Sequence, residues 1–295
     1  MNLSSYSFLA HERNALVSDE FWRTQYCFLF SRGYELHPSL APAAGDDISN
    51  PITELGLIDA TRVADGLAVS IRSTTARAVA AHVHAATHAR APWDHICNHI
   101  APVVDVLSSS EAGGPDRACV FVVMPRLVKP SAHIRTVSDV TDFVAQSLAA
   151  LVTLHEDPVG MALGGCALND FGVHCEPDLE GQVNIRYCIT NFARAVHLGD
   201  NAGPSINTDR RVAYAADVAA LGSMLTTDFA ERYTNVSFLA PLITETDLKF
   251  GKPAIRLCSF WRQTTTQNPL YSLLPRPRVR RLRGRDEALV HRILA

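Results

Sequence analysis

The chain has seven cysteines, at 27, 97, 119, 166, 175, 188 and 258, but no C-x-x-C pair. With an odd count and scattered spacing, that absence speaks against a disulfide framework and against a ribbon-type zinc site. No apolar run of about 18 residues is apparent, so no membrane-spanning segment is expected. The opening MNLSSYSFLAHERN has neither the basic start nor the long apolar stretch of a secretory signal. Together these absences set the expectation of an intracellular protein, cytoplasmic or nuclear, with reduced thiols and no membrane contact. The N-x-S sequons at Asn2 and Asn235 would then go unused. No two glycines stand in a G-x-G arrangement, which removes the loop whose backbone amides approach and shield phosphates. Between Asp65 and Asp94 there is no acidic residue. A net charge of −3 gives no global attraction to nucleic acid or anionic lipid.

At 295 residues the chain can bury a full-size core, as one large or two modest domains. Residues 37–55, rich in Pro, Ala and Asp, read as loop. Leu57–Asp59 and Ala68–Ile71 read as strands, with Asp65-Gly66 as the turn pair before the second. An alanine-rich helix is predicted over 74–90. Val103–Leu107 and Cys119–Met124 are further strands around the loop SSSEAGGPDR, and the run CVFVVM is apolar enough for burial on both faces. Ser138 is a candidate N-cap, followed by Asp139 and Asp142 in the first turn. Val140, Phe143, Val144, Ser147, Leu148, Leu151 and Val152 then trace one buried helix face. Asn184–Thr190 is strand-like. Helices are expected near 212–225, 228–234, 237–244 and 253–263, the last opening at Pro253, where proline is tolerated. There is no internal repeat.

Four landmarks stand in a fixed order: VSIR at 69–72, VFVVMP at 120–125, the helix end LVTLHE at 151–156, and IRYCITNFA at 185–193. Further segments are EFWR at 20–23, FLFSRGY at 28–34, LIDATRVADG at 57–66, NHIAPVVD at 98–105, DFV at 142–144 and ERYTNVSFLAPLI at 231–243. In these segments and their order the chain resembles protein kinases, and most nearly the kinase-like proteins abundant in basidiomycete (mushroom-forming) fungi. The resemblance runs over most of the length. It implies an α+β class: a bilobal protein-kinase-like fold with an irregular or truncated N-terminal lobe and a mainly helical C-terminal lobe. The implied bounds are a helix and loop extension at 1–55, the N-lobe at 56–126, the C-lobe at 127–270 and a basic tail at 271–295.

The same resemblance assigns positions. Arg72 stands where a kinase carries its phosphate-binding lysine. Met161, Ala162 and Leu163 stand at H-R-D, Asn169 near the catalytic-loop asparagine, and Asn191-Phe192-Ala193 at D-F-G. Met124 is the implied gatekeeper and Pro125-Arg126-Leu127 the hinge, while Asp217, four residues before Leu221-Gly222, matches the helix F pattern. The literal Asp170-Phe171-Gly172 comes only fourteen residues after Glu156 and follows no strand, so it is not read as the magnesium motif.

Most of the chemistry those positions carry is missing. Arginine is forked and bulkier than lysine, and asparagine offers magnesium a neutral carbonyl in place of a carboxylate. The helix at 74–90, which by the resemblance stands in the place of a kinase's helix C, has no acid to orient a lysine. Loss of a positioned base costs about 10²- to 10⁴-fold against a usual turnover of about 1–100 per second. The implied protein is a pseudokinase acting as scaffold or regulatory binding module, with no cofactor expected and with ATP and magnesium relevant only if nucleotide binding persists. One alternative is a weakly active ATP-dependent protein kinase acting on Ser/Thr, with Arg72 holding phosphate and Asn191 or Asp170 the metal. Another is a histidine-rich metal-binding interaction protein built on His84 and His88, spaced i, i+4, with His82, His95, Cys97 and His99 close in sequence. The partner is an unidentified protein; the six arginines between Arg276 and Arg285 fit an acidic one, and sequence-specific nucleic-acid recognition is not expected.

Overall fold

The computed structural model describes residues 19–41, 56–89, 98–109, 119–177, 183–198, 204–233, 235–247 and 251–267. The chain divides into two compact units: residues 1–79 with 103–127, and residues 80–102 with 128–295. Of the expected loop at 37–55, residues 37–41 are described and hold a 3₁₀ turn at Pro38–Leu40; residues 42–55, His95, Cys97 and the arginine run of 276–285 lie outside the described residues.

The first unit is built on a five-stranded antiparallel sheet in the order β1-β2-β3-β5-β4. Its strands are β1 (Tyr34–Leu36), β2 (Leu57–Arg62), β3 (Ala68–Thr74), β4 (Asp105–Ser109) and β5 (Cys119–Pro125). Helix α1 (Asp19–Ser31) places Asp19 and Glu20 in its first turn, where the helix dipole favours negative charge. It buries Trp22, Gln25 and Leu29, one face of a 3.6-residue period. Phe121 on β5 is the hub, with ring centroids 5.9 Å from both Trp22 and Phe28. α1 and β1, which the sequence reading assigned to an extension ending at 55, share this core with β2, β3 and β5. The β2–β3 turn closes at Asp65-Gly66: Arg62 donates twice to Asp65, at 2.9 and 2.6 Å, Asp65 accepts the Leu67 N–H, and Gly66 takes a φ of +71°.

Strands β3 and β5 are buried on both faces, as their apolar runs require. Val69, Ile71, Phe121 and Val123 face the core; Ser70, Arg72, Val122 and Met124 take the other face, also buried. There the Ser70 hydroxyl accepts the Leu127 N–H at 3.0 Å. The boundary between the units falls within helix α2 (Ala76–His88), which contains no acidic residue.

The second unit is organised around α4 (Val137–His155), preceded by the single turn α3 (Pro130–His133). The cap of α4 is Thr136, not Ser138. Thr136 Oγ1 accepts the Asp139 N–H at 3.2 Å and Asp139 Oδ2 accepts the Thr136 N–H at 2.7 Å. This reciprocal box satisfies two donors where a lone serine cap satisfies one, and Ser138 instead donates to Asp142. By length and apolarity α4 is, against the expectation above, long enough to cross a membrane, but more than half of it is buried in this unit. Its Phe143 meets Phe171, Tyr187 and Phe229 at ring distances of 5.3, 5.1 and 5.7 Å.

Strands β7 (Phe171–Pro177) and β8 (Val183–Ile189) form an antiparallel hairpin, with Phe171 opposite Ile189. Gln146 of α4 clamps it, donating to Ile185 O at 3.2 Å and accepting the Tyr187 N–H at 2.8 Å. The segment 98–101 straps across the end of β8: Ile189 N–H donates to His99 O and Ala101 N–H to Ile189 O. Two short strands, β6 (Met161–Ala162) and β9 (Val196–His197), pair antiparallel. Helix α5 runs Pro204–Leu225, about two turns longer at its start than the expected 212–225, and closes in a π-turn at Thr226–Ala230. Then come α6 (Ala240–Glu245) and α7 (Ala254–Gln267), whose buried Trp261 donates to Thr141 O.

Gly222 marks where α5 meets the end of α6. A Cβ there would lie 1.8 Å from Thr246 Oγ1 and 2.7 Å from Thr246 Cβ. Thr246 is itself buried and donates to Ile243 O, so it has little room to yield. Gly222→Ala is expected to cost about 1–3 kcal/mol, read as a lower urea midpoint at unchanged slope. Adding Thr246→Ala should return part of the loss.

Candidate functional site

The most elaborate polar arrangement in the second unit is anchored by Asp217 of α5, which is fully buried. Its Oδ2 accepts the Leu163 N–H at 2.7 Å and lies 3.1 Å from His155 Nε2; its Oδ1 accepts the N–H groups of Gly164 and Gly165 at 2.9 and 3.0 Å. A carboxylate offers about four lone-pair sites, so one side chain holds three successive peptides and a helix-end histidine. His155, the last residue of α4, stacks on Tyr214 of α5 at 4.1 Å. The loop after β6 is therefore fixed by its backbone. Gly164 and Gly165 take φ values of +77° and +127°, which L side chains rarely adopt.

Beyond that loop a 3₁₀ turn at Leu168–Asp170 delivers Asp170, 4% exposed, to the start of β7. Asp170 Oδ1 accepts the Asn191 Nδ2–H at 2.7 Å, while Oδ2 accepts the Ala167 N–H at 2.9 Å and an Arg194 N–H at 3.1 Å. Its backbone oxygen accepts from both the N–H and the hydroxyl of Thr190. Asn191 is buried just past β8, and its Oδ1 accepts the Ala193 N–H at 3.2 Å. Phe192 is buried and stacks on His82, rings 4.5 Å apart, while His82 Nε2 bonds to Ala101 O. Cys166, also buried, has its thiol pushed well up by burial and by the nearby Asp170 and Asp217 charges, so it stays protonated.

No family model matches the chain, and no curated protein matches it. Among solved structures it is similar to the Rad53 kinase domain and SCD2 in complex with AMPPNP, with a TM-score of 0.49 and 11% identity over 79% of this chain and 91% of that one. The Rad53 kinase domain and SCD2 gives 0.48 and 12% over 80% and 95%.

The residues singled out from sequence divide between the units. Arg72, Met124 and Pro125 belong to the first, on β3 and β5, with Arg72 opposite Val122 and Met124 opposite Ser70. Met161, Ala162, Leu163, Asn169, Asn191 and Phe192 belong to the second. Met161 and Ala162 form β6, Leu163 is the first peptide held by Asp217, and Asn169 is exposed. The residue that reaches Asn191 is its neighbour Asp170. Sequence reasoning set Asp170 aside as the literal D-F-G and missed Arg194. The Gly164-Gly165 pair was the one local signal beside Asp170: it marks a loop that must pass close to something.

Do these residues fit a divalent cation? Asp170 is the sole carboxylate of the pair, both its oxygens are engaged, and a guanidinium shares one of them; Asn191 spends its oxygen on Ala193. Magnesium takes near-octahedral oxygen ligands and usually a carboxylate free to bind it, so the set does not fit the metal. Nor do the histidines. His84 and His88 stack face to face, centroids 4.2 Å apart, with His197 edge-on to His84 at 4.6 Å. Ring lone pairs lie in the ring planes, so stacked imidazoles do not aim at one point. His84 Nε2 bonds to Val159 O and His88 Nδ1 to His84 O. Among the described residues no group of three His, Cys, Asp or Glu side chains is arranged to hold a metal ion.

Proposed function

We propose that the protein is a kinase-like binding module that does not transfer phosphate: a pseudokinase serving as scaffold or regulatory partner of another protein. The observation that carries this reading is the glycine loop on Asp217. In the kinase pattern H-R-D-L-x-x-x-N, the asparagine follows the catalytic aspartate by five residues and meets the D-F-G aspartate at the metal. Here the residue that meets Asn191 is Asp170, and five residues before it stands Gly165. On this reading the three peptides on Asp217, Leu163 to Gly165, take the H-R-D positions, two residues beyond the Met161–Leu163 assigned from the sequence. The backbone frame is kept, no side chain stands at the base position, and the acid and amide have exchanged places.

That exchange is also what favours a second reading, a weak kinase, because one carboxylate and one amide survive. Thermal stability with ATP, with and without magnesium, separates the two. A ligand at 100 times its Kd stabilises by about 2.7 kcal/mol, a rise on the order of several °C for a chain this size. No magnesium-dependent shift is expected; such a shift, abolished by Asp170→Asn, would overturn the pseudokinase reading. The arginine run of 276–285 gives the proposed module a site for an acidic protein partner.

A further inference from the structure

Asp170 is buried, burying an unpaired carboxylate is costly, and the cation beside it is Arg194, three residues beyond Asn191. The guanidinium nitrogen lies 3.1 Å from Asp170 Oδ2, with 42% of the arginine side chain exposed against 6% for the aspartate. Arg194 thus reaches in from the surface and is always charged.

The space it enters is made by the glycine pair. A Cβ on Gly165 would lie 3.0 Å from one guanidinium nitrogen and 3.2 Å from Cζ; a Cβ on Gly164 would lie 2.5 Å from the Arg194 carbonyl oxygen. A side chain at 165, an aspartate included, would press on the guanidinium, which would have to give way by a few tenths of an ångström. The same glycine that leaves the base position empty admits the arginine.

We propose that Arg194 is a tethered replacement for a divalent cation: its guanidinium neutralises Asp170 in the space vacated at Gly165 and closes the Asp170–Asn191 pair to metal. The arrangement needs no ion from solution to hold the end of β8 against the start of β7. The inference goes beyond the non-catalytic reading and rests on the second unit alone. The ion pair is covalently anchored three residues from its partner amide, so exchange with dissolved magnesium must compete against a cation already in place.

The test is manganese binding by the full chain without nucleotide, followed by loss of the free Mn²⁺ resonance signal, and counted as binding at this site only when Asp170→Asn removes it. Arg194→Met keeps the stem that packs over Gly165 and deletes the charge; Arg194→Gln serves if the methionine variant does not fold. Aspartate-dependent Mn²⁺ binding should appear in the variant, at least about tenfold tighter than in the wild type. Equal aspartate-dependent affinity in wild type and variant would overturn the proposal. So would its absence from Arg194→Met and Arg194→Gln alike. Because no nucleotide enters the assay, either result stands apart from the ATP experiment above.

Discussion

Asp217→Ala is expected to lower stability by about 3–5 kcal/mol, the range seen when one partner of a buried charge arrangement is removed. The loss has three sources in the structure. The N–H groups of Leu163, Gly164 and Gly165 lose their acceptor; the buried Leu163 donor left unpaired costs about 1–3 kcal/mol, and the two glycine donors, which water can reach, cost less. His155, stacked on Tyr214 with 8% of its side chain exposed, loses the oxygen 3.1 Å from its Nε2. Gly164 and Gly165 are also the residues with the most freedom to regain. Urea unfolding should show the drop in midpoint, and melting temperature should fall by roughly 10 °C. Asp217→Asn keeps one oxygen for Gly164 and Gly165 but turns an amide N–H towards the Leu163 N–H or His155, so it should fall between wild type and alanine. A loss in the alanine variant below about 1 kcal/mol, the scale of an exposed pair, would mean that the loop is held by something other than this carboxylate.

The glycine loop also shows where sequence reasoning ran out. Element order was legible because it rests on short-range period: β5 is a double-faced apolar run, α4 repeats at 3.6 residues, and Asp65-Gly66 can hardly be anything but a turn. The cap of α4 was misread by two residues because Ser138 and Thr136 are both good caps, and only the return bond from Asp139 decides between them. β7 was not foreseen: it opens with Phe171-Gly172 and ends at Pro177, residues that weaken a strand in isolation, and its stability comes from pairing with β8.

The site was legible only in part, for a similar reason. Asn191 and Asp217 could be named because a motif or spacing pointed to them. Arg194 could not, since an arginine in a loop has no local signature; its meaning lies in what a Cβ at 165 would strike. Asp170 was passed over because it spelled a familiar motif in the wrong place. Contacts between residues far apart in the chain, not local composition, turned it into the partner of Asn191.

The second large effect is expected from acid. His99 is buried in the strap over β8, its Nδ1 3.2 Å from Tyr187 O. Burial, with Arg186 nearby adding like charge, brings its pKa down to about 4, against a Tyr187 carbonyl that pulls it up. Between about pH 4 and 6.5 the unfolded chain therefore binds a proton at this position that the folded chain does not. Stability then rises with pH through this window. The contribution is fully present above the ordinary histidine value and is lost as pH falls towards 4; the shift corresponds to about 3 kcal/mol. His84, lowered by burial and by His88 and His197, acts in the same direction. Carboxylates titrate in part of the same range, so the readout is the difference between wild type and His99→Asn, whose amide can still donate to Tyr187 O but takes no proton. Unfolding free energy against pH should slope less in the variant between about pH 4 and 6.5. Parallel curves would mean that the ring already takes its proton in the folded chain. The strap, which bonds to Ile189 two residues before Asn191, would then have to open in mild acid, and the Asp170 centre would lose backbone that borders it.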